Sequence, residues 1–463
     1  MINYISTRGQ APVLSFKDVV MAGLASDGGL YVPDSIPVFA PHELTQMAAL
    51  PYTELALRVM QPFIGDSIPS KDLAALIEES YTGFRHKAIA PLKQLGHNDF
   101  LLELFHGPTL AFKDFALQFL GRVLEYFLEK EHKQLTVVGA TSGDTGSAAI
   151  EGCRGRKNMR IFILHPHGRV SDVQRRQMTT VADDNVFNLA VKGTFDDCQD
   201  IVKSLFADQA FREKQHLTAV NSINWARILA QVVYYFYAGL ALGAPARQVS
   251  FCVPTGNFGD IFAGYIAHKM GLPIGKLIIA TNSNDILARC LKTGTYDMAG
   301  VSPTLSPSMD IQISSNFERL LFDLYGRDGK AIAGIMQDFR EKRSFTLTPA
   351  ALQQLRGLFA AESCDDERTL ATIRSVQEET GELLDPHSAV GVAVARKLNP
   401  SPVSPVVTLA TAHPAKFPDA VKKATGIHPA LPEHVAGIMD MKERLEVVAN
   451  DFATIKQSIE SRS

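Results

Sequence analysis

Cysteine is scarce and scattered. Cys153, Cys198, Cys252, Cys290 and Cys364 stand far apart with no CxxC pair, which argues against a zinc site and against a disulfide-stapled fold. Free thiols fit a reducing cytoplasm. Net positive charge is also lacking: 46 Lys and Arg against 49 Asp and Glu leave a formal charge of −3. No overall field is available to hold a nucleic-acid backbone. Long hydrophobic runs are missing. The most apolar stretch, 228–241, falls short of the roughly 20 residues a membrane-spanning helix needs. The N-terminal MINYISTRGQAPVLSF has no continuous apolar run of the signal-peptide kind. There is no internal repeat and no low-complexity segment. These absences point to a soluble cytoplasmic protein with no nucleic-acid or membrane partner and no metal.

What is present is an ordinary folded composition, 46% hydrophobic and 21% charged over 463 residues. That length exceeds a single core and implies two or three domains. Residues 1–95 read as a small, largely helical unit, with helical spacing at 15–24 and 52–60 and a turn with a short extended piece in DGGLYVP. After Pro91, β-branched runs alternate with longer amphipathic stretches. LTVVGA, IFILHP, VSFCVP, LIIATN and VVTLAT read as buried strands, each leading to a helical pattern. This alternation over 96–463 predicts an open α/β fold with helices on both faces of the sheet. Residues 340–400 read as mostly helical, with a polar break at 362–367. In such folds ligands gather at the carboxyl ends of strands.

Three such strand ends carry chemistry. In FLLELFHGPTLAFKDFALQFLG a strand-like run meets a turn, and a helix begins near Lys113. Desolvation and the helix dipole both lower the pKa of a lysine in that position. A neutral amine there can condense with an aldehyde; a surface lysine leading a helix fits the same pattern. In GATSGDTGSAA a Gly/Ser/Thr turn opens a helix. Its free N–H groups, with the hydroxyls of Thr141, Ser142 and Thr145, make an anion site. In PTGNFGDIFAG, Gly256 and Gly259 permit close backbone approach, and helix-start N–H groups suit a phosphate. No GxxxxGK[ST] is nearby, so this is not a nucleotide P-loop. NSINWARI adds Arg227, whose planar fork suits phosphate; Ser222 and Asn224 beside it fit a helix cap equally well.

FHGPTLAFKDF resembles the cofactor-lysine segment of threonine synthases, pyridoxal-phosphate enzymes of fold type II (tryptophan-synthase-β-like). SGDTG, PTGNFGD and LATAHPAKFPDA extend the likeness in the same chain order, as do 165–180 and 306–324, to which no chemistry is assigned. The resemblance reaches from the N-terminal region to residue 420 and points to the longer bacterial and fungal branch. It implies two open α/β lobes around a cofactor cleft plus a small N-terminal domain, with a mobile lobe over 130–240. It implies that Lys113 carries pyridoxal 5'-phosphate and moves protons. Gly256, Asn257, Phe258, Gly259 and Asp260 would surround the cofactor phosphate, and Thr411 would offer its hydroxyl to the pyridine nitrogen. Thr141, Ser142 and Thr145 would receive the substrate carboxylate. Arg227, with Ser222 and Asn224, would meet the substrate phosphate. Asp144 stands where the shorter branch has an asparagine against the phenolic oxygen. His413 and Lys416 would line the same mouth as Thr411, while Arg175 and Arg176 read as a solvated face.

The implied activity is conversion of O-phospho-L-homoserine and water to L-threonine and phosphate, by γ-elimination and β-addition of water. A phospholyase yielding 2-oxobutyrate, or a non-catalytic binder of the cofactor, are the alternatives. Oligomeric state is left open between monomer and homodimer.

Overall fold

Apolar, β-branched runs form the inner strands of two parallel sheets, one in each of two compact units. The structure, a computed structural model, describes residues 2–141, 143–219, 222–398 and 403–462. One unit comprises Met1–Gly107 with Ser222–Pro429; the other comprises Pro108–Asn221 with Ala430–Ser463.

Across the first unit's sheet the order is Phe359–Ser363, Ile274–Thr281, Val249–Pro254, Val406–Ala410, Asp99–Glu103 and Leu92–Gln94. All neighbours are parallel except the last pair. Every residue of VSFCVP is buried, as expected of a central parallel strand covered on both faces. The helix Pro386–Leu398 lies tightly on this sheet because residue 391 is glycine: a Cβ there would stand 2.7 Å from Thr408 Cγ2. The N-terminal helices belong to this unit, together with an antiparallel pair, Tyr4–Ser6 with Tyr31–Pro33; the second strand is the extended piece expected in DGGLYVP, while the first has no counterpart in the sequence reading. Asp27 fixes that pair, receiving the Ser6 hydroxyl and the N–H groups of Gln10, Ala11 and Gly29.

The second unit's sheet runs Glu446–Val448, Val186–Val191, Met159–Pro166, Leu135–Ala140, Leu217–Ala219, all parallel. One face packs on a core of Phe162, Leu164, Leu189, Val191, Leu205, Val448, Ile455 and Ile459. The span 130–240 is therefore divided. Residues up to 219 build the second sheet, whereas the helix Trp225–Ala241, buried along nearly its whole length, packs on Tyr52–Ile64 and Gly259–Lys269 in the first unit. No helix among the described residues is long and apolar enough to cross a membrane.

Candidate active site

Lys113 opens the helix Lys113–Glu131. The turn before it is pinned by Thr109, whose N–H and hydroxyl both donate to the Asp114 carboxylate, at 2.8 and 2.7 Å. Lys113 is 7% exposed, its Nζ 4.8 Å from the Phe112 ring centroid. Nζ also donates to Asp144 Oδ2 at 3.3 Å. The sequence pattern offered only apolar walls and a helix start for this amine; the fold adds a carboxylate.

Asp144 opens the helix Asp144–Cys153 and its other oxygen receives Gln174 Nε2 at 2.8 Å. Gln174 Oε1 in turn receives the Ser171 hydroxyl at 2.9 Å. Gly143 permits this arrangement: its φ is +149°, and a Cβ would stand 2.5 Å from Gln174 Cδ. Three residues on, Gln177 donates to the Thr109 carbonyl at 3.0 Å. One face of the helix Asp172–Thr179 thus holds both Asp144 and the turn before Lys113. Gln174 and Gln177 lie in the segment given no chemistry from sequence. Their i,i+3 spacing in QRRQM was the available signal.

Arg175 and Arg176, read from sequence as a solvated face, are instead only 25% and 22% exposed. Arg175 donates through Nε and Nη2 to the two oxygens of Glu443, at 2.8 and 3.1 Å. Arg176 donates to the carbonyls of Ile438 and Met441. The C-terminal segment, uninformative as sequence, braces the outer side of the helix whose inner side carries Gln174. Hydrogen bonding from Arg175, then from Thr179, holds the Glu443 carboxyl at about 2, below its usual 4.5. The sign follows from linkage: a carboxyl depressed in the folded state contributes stability above its unfolded pKa and loses it as pH falls through the folded one. Glu443→Gln is therefore expected to lower the melting temperature most above pH 4.5, with the difference closing toward pH 2. Calorimetry of both proteins across that range checks it.

Thr141 is 2% exposed, and its Oγ1 accepts from Gly143 N at 3.0 Å and Gly146 N at 2.9 Å. Its hydroxyl oxygen caps the turn, so those two N–H groups already have an acceptor. Thr145 is half-buried beside it. Ser142 lies outside the described residues.

In the first unit, the turn after Val249–Pro254 presents main-chain donors. The Ser314 hydroxyl donates to the Gly256 carbonyl, and Asn316 donates through N and Nδ2 to the Asn257 carbonyl, both at 3.1 Å. In a trans peptide N–H points opposite to C=O. The N–H groups of Asn257 and Phe258 are therefore turned away from 314–316, at the start of the helix Gly259–Lys269. Phe258 sits at φ +65°, in the left-handed region, which a bulky residue adopts only when its surroundings enforce it, commonly at a functional turn. Phe317 and Phe359 hold its ring, at centroid distances of 5.2 and 5.9 Å. A Cβ on Gly256 would meet Ile311 Cδ1 and the Ser308 carbonyl at 3.0 Å.

Asp260 Oδ1 receives the Tyr234 and Tyr235 hydroxyls, at 2.5 and 3.0 Å. Burial first, and Asp260 second, push both phenols well above their usual range, so they remain donors. Arg227, 5% exposed, has the same neighbours; burial pushes it down to about 10, opposed by Tyr234 and Asp260. It is charged at neutral pH and stands next to the cofactor-phosphate candidate Asp260. Asn224 caps the helix Trp225–Ala241, its Oδ1 accepting from Ala226 N at 3.0 Å while Nδ2 donates to the Val20 carbonyl at 2.8 Å. The cap is thus the role its hydrogen bonds fill. The Ser222 carbonyl accepts from Asn316 Nδ2 at 3.1 Å.

Arg319, which no sequence pattern had singled out, supports this turn from behind. It donates to Asn316 Oδ1, to the Ile223 carbonyl and, at 3.0 Å, to the Tyr31 carbonyl. Burial pushes it down to about 9. Arg319→Met leaves those acceptors without their donor. We expect a loss on the order of 3 kcal/mol, read from urea midpoints.

Thr411 follows the strand Val406–Ala410, is 6% exposed, and donates its N–H to Ser388 Oγ at 3.1 Å. His413 Nδ1 accepts from Ala415 N at 3.2 Å, capping the turn that carries the fully buried Lys416. Taken unit by unit, the donors suit parts of a phosphorylated aldehyde with a ring nitrogen. In the second unit a buried amine at a helix start suits the aldehyde. In the first unit outward main-chain N–H groups at a helix start suit the phosphate, with a hydroxyl-bearing residue at a strand end.

The family model described as pyridoxal-phosphate dependent enzyme matches residues 85–338. The chain is a pyridoxal-phosphate-dependent enzyme of the fold type II class. Models for the threonine synthase N terminus and C-terminal region match 3–81 and 388–459. The chain belongs to the threonine synthase family. It is 57% identical to a threonine synthase of Pseudomonas aeruginosa, over 98% of this chain and 97% of that one. It superposes on the crystal structure of PLP-bound threonine synthase from Brucella melitensis with a TM-score of 0.99 at 54% identity, covering 100% of both chains. A threonine synthase-like 2 protein of Xenopus laevis is 39% identical over 100% of this chain and 99% of its own.

Proposed function

We propose that this enzyme converts O-phospho-L-homoserine and water to L-threonine and phosphate in the cytoplasm, with Lys113 as the catalytic base. The observation that carries the reading is Lys113 itself, buried at a helix start with Nζ 3.3 Å from Asp144, in a chain matched nearly end to end by threonine synthases. The five cysteines, all free and all buried, suit a reducing compartment.

Pyridoxal phosphate supplies a carbonyl that condenses with amines and a ring that delocalises negative charge from the attached carbons. The chain's residues do the rest. Lys113 would anchor the cofactor and, once substrate takes its place, its amine would take the α proton, return it to the conjugated system, and only then, neutral again, take a β proton. Asp144, oriented by Gln174, holds the protonated amine between transfers. The N–H groups of Asn257 and Phe258, with Gly256, Gly259 and Asp260, orient the cofactor phosphate. Thr411 offers a hydroxyl to the ring nitrogen, which does not force ring protonation as a carboxylate would. Thr145, Thr141 and Ser142 orient the substrate carboxylate. Arg227, with Ser222 near it in the chain, balances the charge of the departing phosphate, while Asn224 caps the helix that carries Arg227.

Incubating the purified enzyme with O-phospho-L-homoserine should release phosphate and threonine in equal amounts. Phosphate with 2-oxobutyrate would instead place it with the phospholyases, and no phosphate release would sink the substrate assignment.

A further inference from the structure

At the start of the helix Pro386–Leu398 a wholly buried carboxylate gathers four donors. Asp385 Oδ1 receives His387 N at 2.9 Å and His387 Nδ1 at 2.8 Å. Asp385 Oδ2 receives Ser388 N at 3.2 Å and the Ser388 hydroxyl. The two main-chain bonds are a helix cap, with aspartate before a proline at the first helical position. The two side-chain bonds exceed what a cap requires, and each fixes something further along.

The Ser388 proton is given to Asp385, so its lone pairs remain to accept the Thr411 N–H at 3.1 Å. On the other branch, His387 Nε2 lies 3.2 Å from Ser308 N. A main-chain N–H can only donate, so Nε2 is the acceptor and the ring proton sits on Nδ1, facing Asp385. Ser308 belongs to the short turn Pro307–Met309, whose carbonyl at 308 lies 3.0 Å from where a Cβ on Gly256 would stand. A single buried anion thereby ties down the residue at one strand end and the backing of the turn after another.

We propose that Asp385 is a positioning residue for the cofactor, holding Thr411 through Ser388 and the back of the Gly256 turn through His387. This rests on reading Thr411 as the ring-nitrogen contact and the Gly256–Asp260 turn as the phosphate contact. Asparagine separates it from a plain cap. Asp385→Asn retains an oxygen for capping main-chain N–H groups, but its amide nitrogen donates, so it cannot accept from both the Ser388 hydroxyl and His387 Nδ1.

The test compares Asp385→Asn, Ser388→Ala, Ser388→Thr and Thr411→Val as holoenzymes. The readouts are the dissociation constant for pyridoxal phosphate, the position of the bound cofactor's visible absorption band, and the melting temperature of each apoprotein. Asp385→Asn and Ser388→Ala should weaken cofactor binding on the order of tenfold, the effect of removing one acceptor from a satisfied buried network. They should move the band in the same direction as Thr411→Val. Ser388→Thr should restore both values. The apoprotein melting temperatures report the stability each variant loses from the buried network, and a fall in melting temperature with no band shift marks a structural role alone and overturns the proposal. If Thr411→Val shifts the band while Asp385→Asn and Ser388→Ala do not, Asp385 is a cap and the proposal is overturned. If Thr411→Val itself changes neither readout, the ring-nitrogen reading fails, and the proposal with it. Should Asp385→Asn not fold, the two Ser388 variants decide by the same criteria.

Discussion

Lys113→Ala should lower kcat for threonine formation by at least about 10³-fold, within the range a positioned proton-transfer group contributes. Lys113→Arg should be equally inactive. Arginine keeps a positive charge that can pair with Asp144, but it does not deprotonate near neutral pH and so cannot act as a base. The two variants together separate charge pairing from chemistry. Lys113 is buried and bonded to Asp144, so alanine removes a donor from that carboxylate, and some stability is lost with it. Arginine should recover part of that stability and none of the rate. Steady-state threonine production, read beside urea unfolding, checks both. Substantial turnover by the arginine variant would exclude Lys113 as the base.

The second large effect is expected at a place with no reactive group. The helices Lys113–Glu131 and Asp144–Cys153 approach through Gly121 and Gly152. A Cβ on Gly121 would stand 2.0 Å from the Gly152 carbonyl oxygen, and one on Gly152 would stand 2.5 Å from the Leu117 carbonyl oxygen. Both obstacles are helix backbone, which cannot rotate aside as a side chain does. Gly121→Val should therefore cost about 3 kcal/mol or more. It should also spread the helices that carry Lys113 and Asp144, weakening cofactor retention. Gly334→Ala is the control. That glycine lies within Gly329–Lys342 with nothing within 4 Å of a Cβ, so alanine should stabilise by roughly 0.5–1 kcal/mol through helix propensity. Similar denaturation midpoints for the two variants would show that the close approach is not what holds these helices.

The inner strands were legible because their signal is strong and local. LTVVGA and VSFCVP occupy the strands Leu135–Ala140 and Val249–Pro254 as read. Val186–Val191 escaped notice because Asn188 interrupts its apolar run. Only in the fold does that asparagine find the Met178 carbonyl, at 3.0 Å. Phe359–Ser363 straddles the end of a stretch that reads as helical and the start of the polar break at 362–367. It follows the helix Pro349–Leu358 without a break residue, and FAAES has the composition of helix; pairing beside Ile274–Thr281 makes it an edge strand. The motif residues at strand ends were legible for the opposite reason, since glycine turns before helices are sequence-local. What a linear pattern does not carry is partnership across the chain. Asp144 with Gln174, Asn257 with Asn316, and Thr411 with Ser388 meet through tertiary packing alone.

The second unit's core draws Val448, Ile455 and Ile459 from the far end of the chain, and its sheet takes an edge strand from there too. A ribosome releases Lys113 and the sheet's other four strands long before it releases those residues. During that interval, Leu189, Val191 and Leu205 lack part of their apolar cover, and Arg175 waits for Glu443. Synthesis of this enzyme therefore includes a period in which the lysine-bearing unit is incomplete and open to chaperones or to association with other nascent chains.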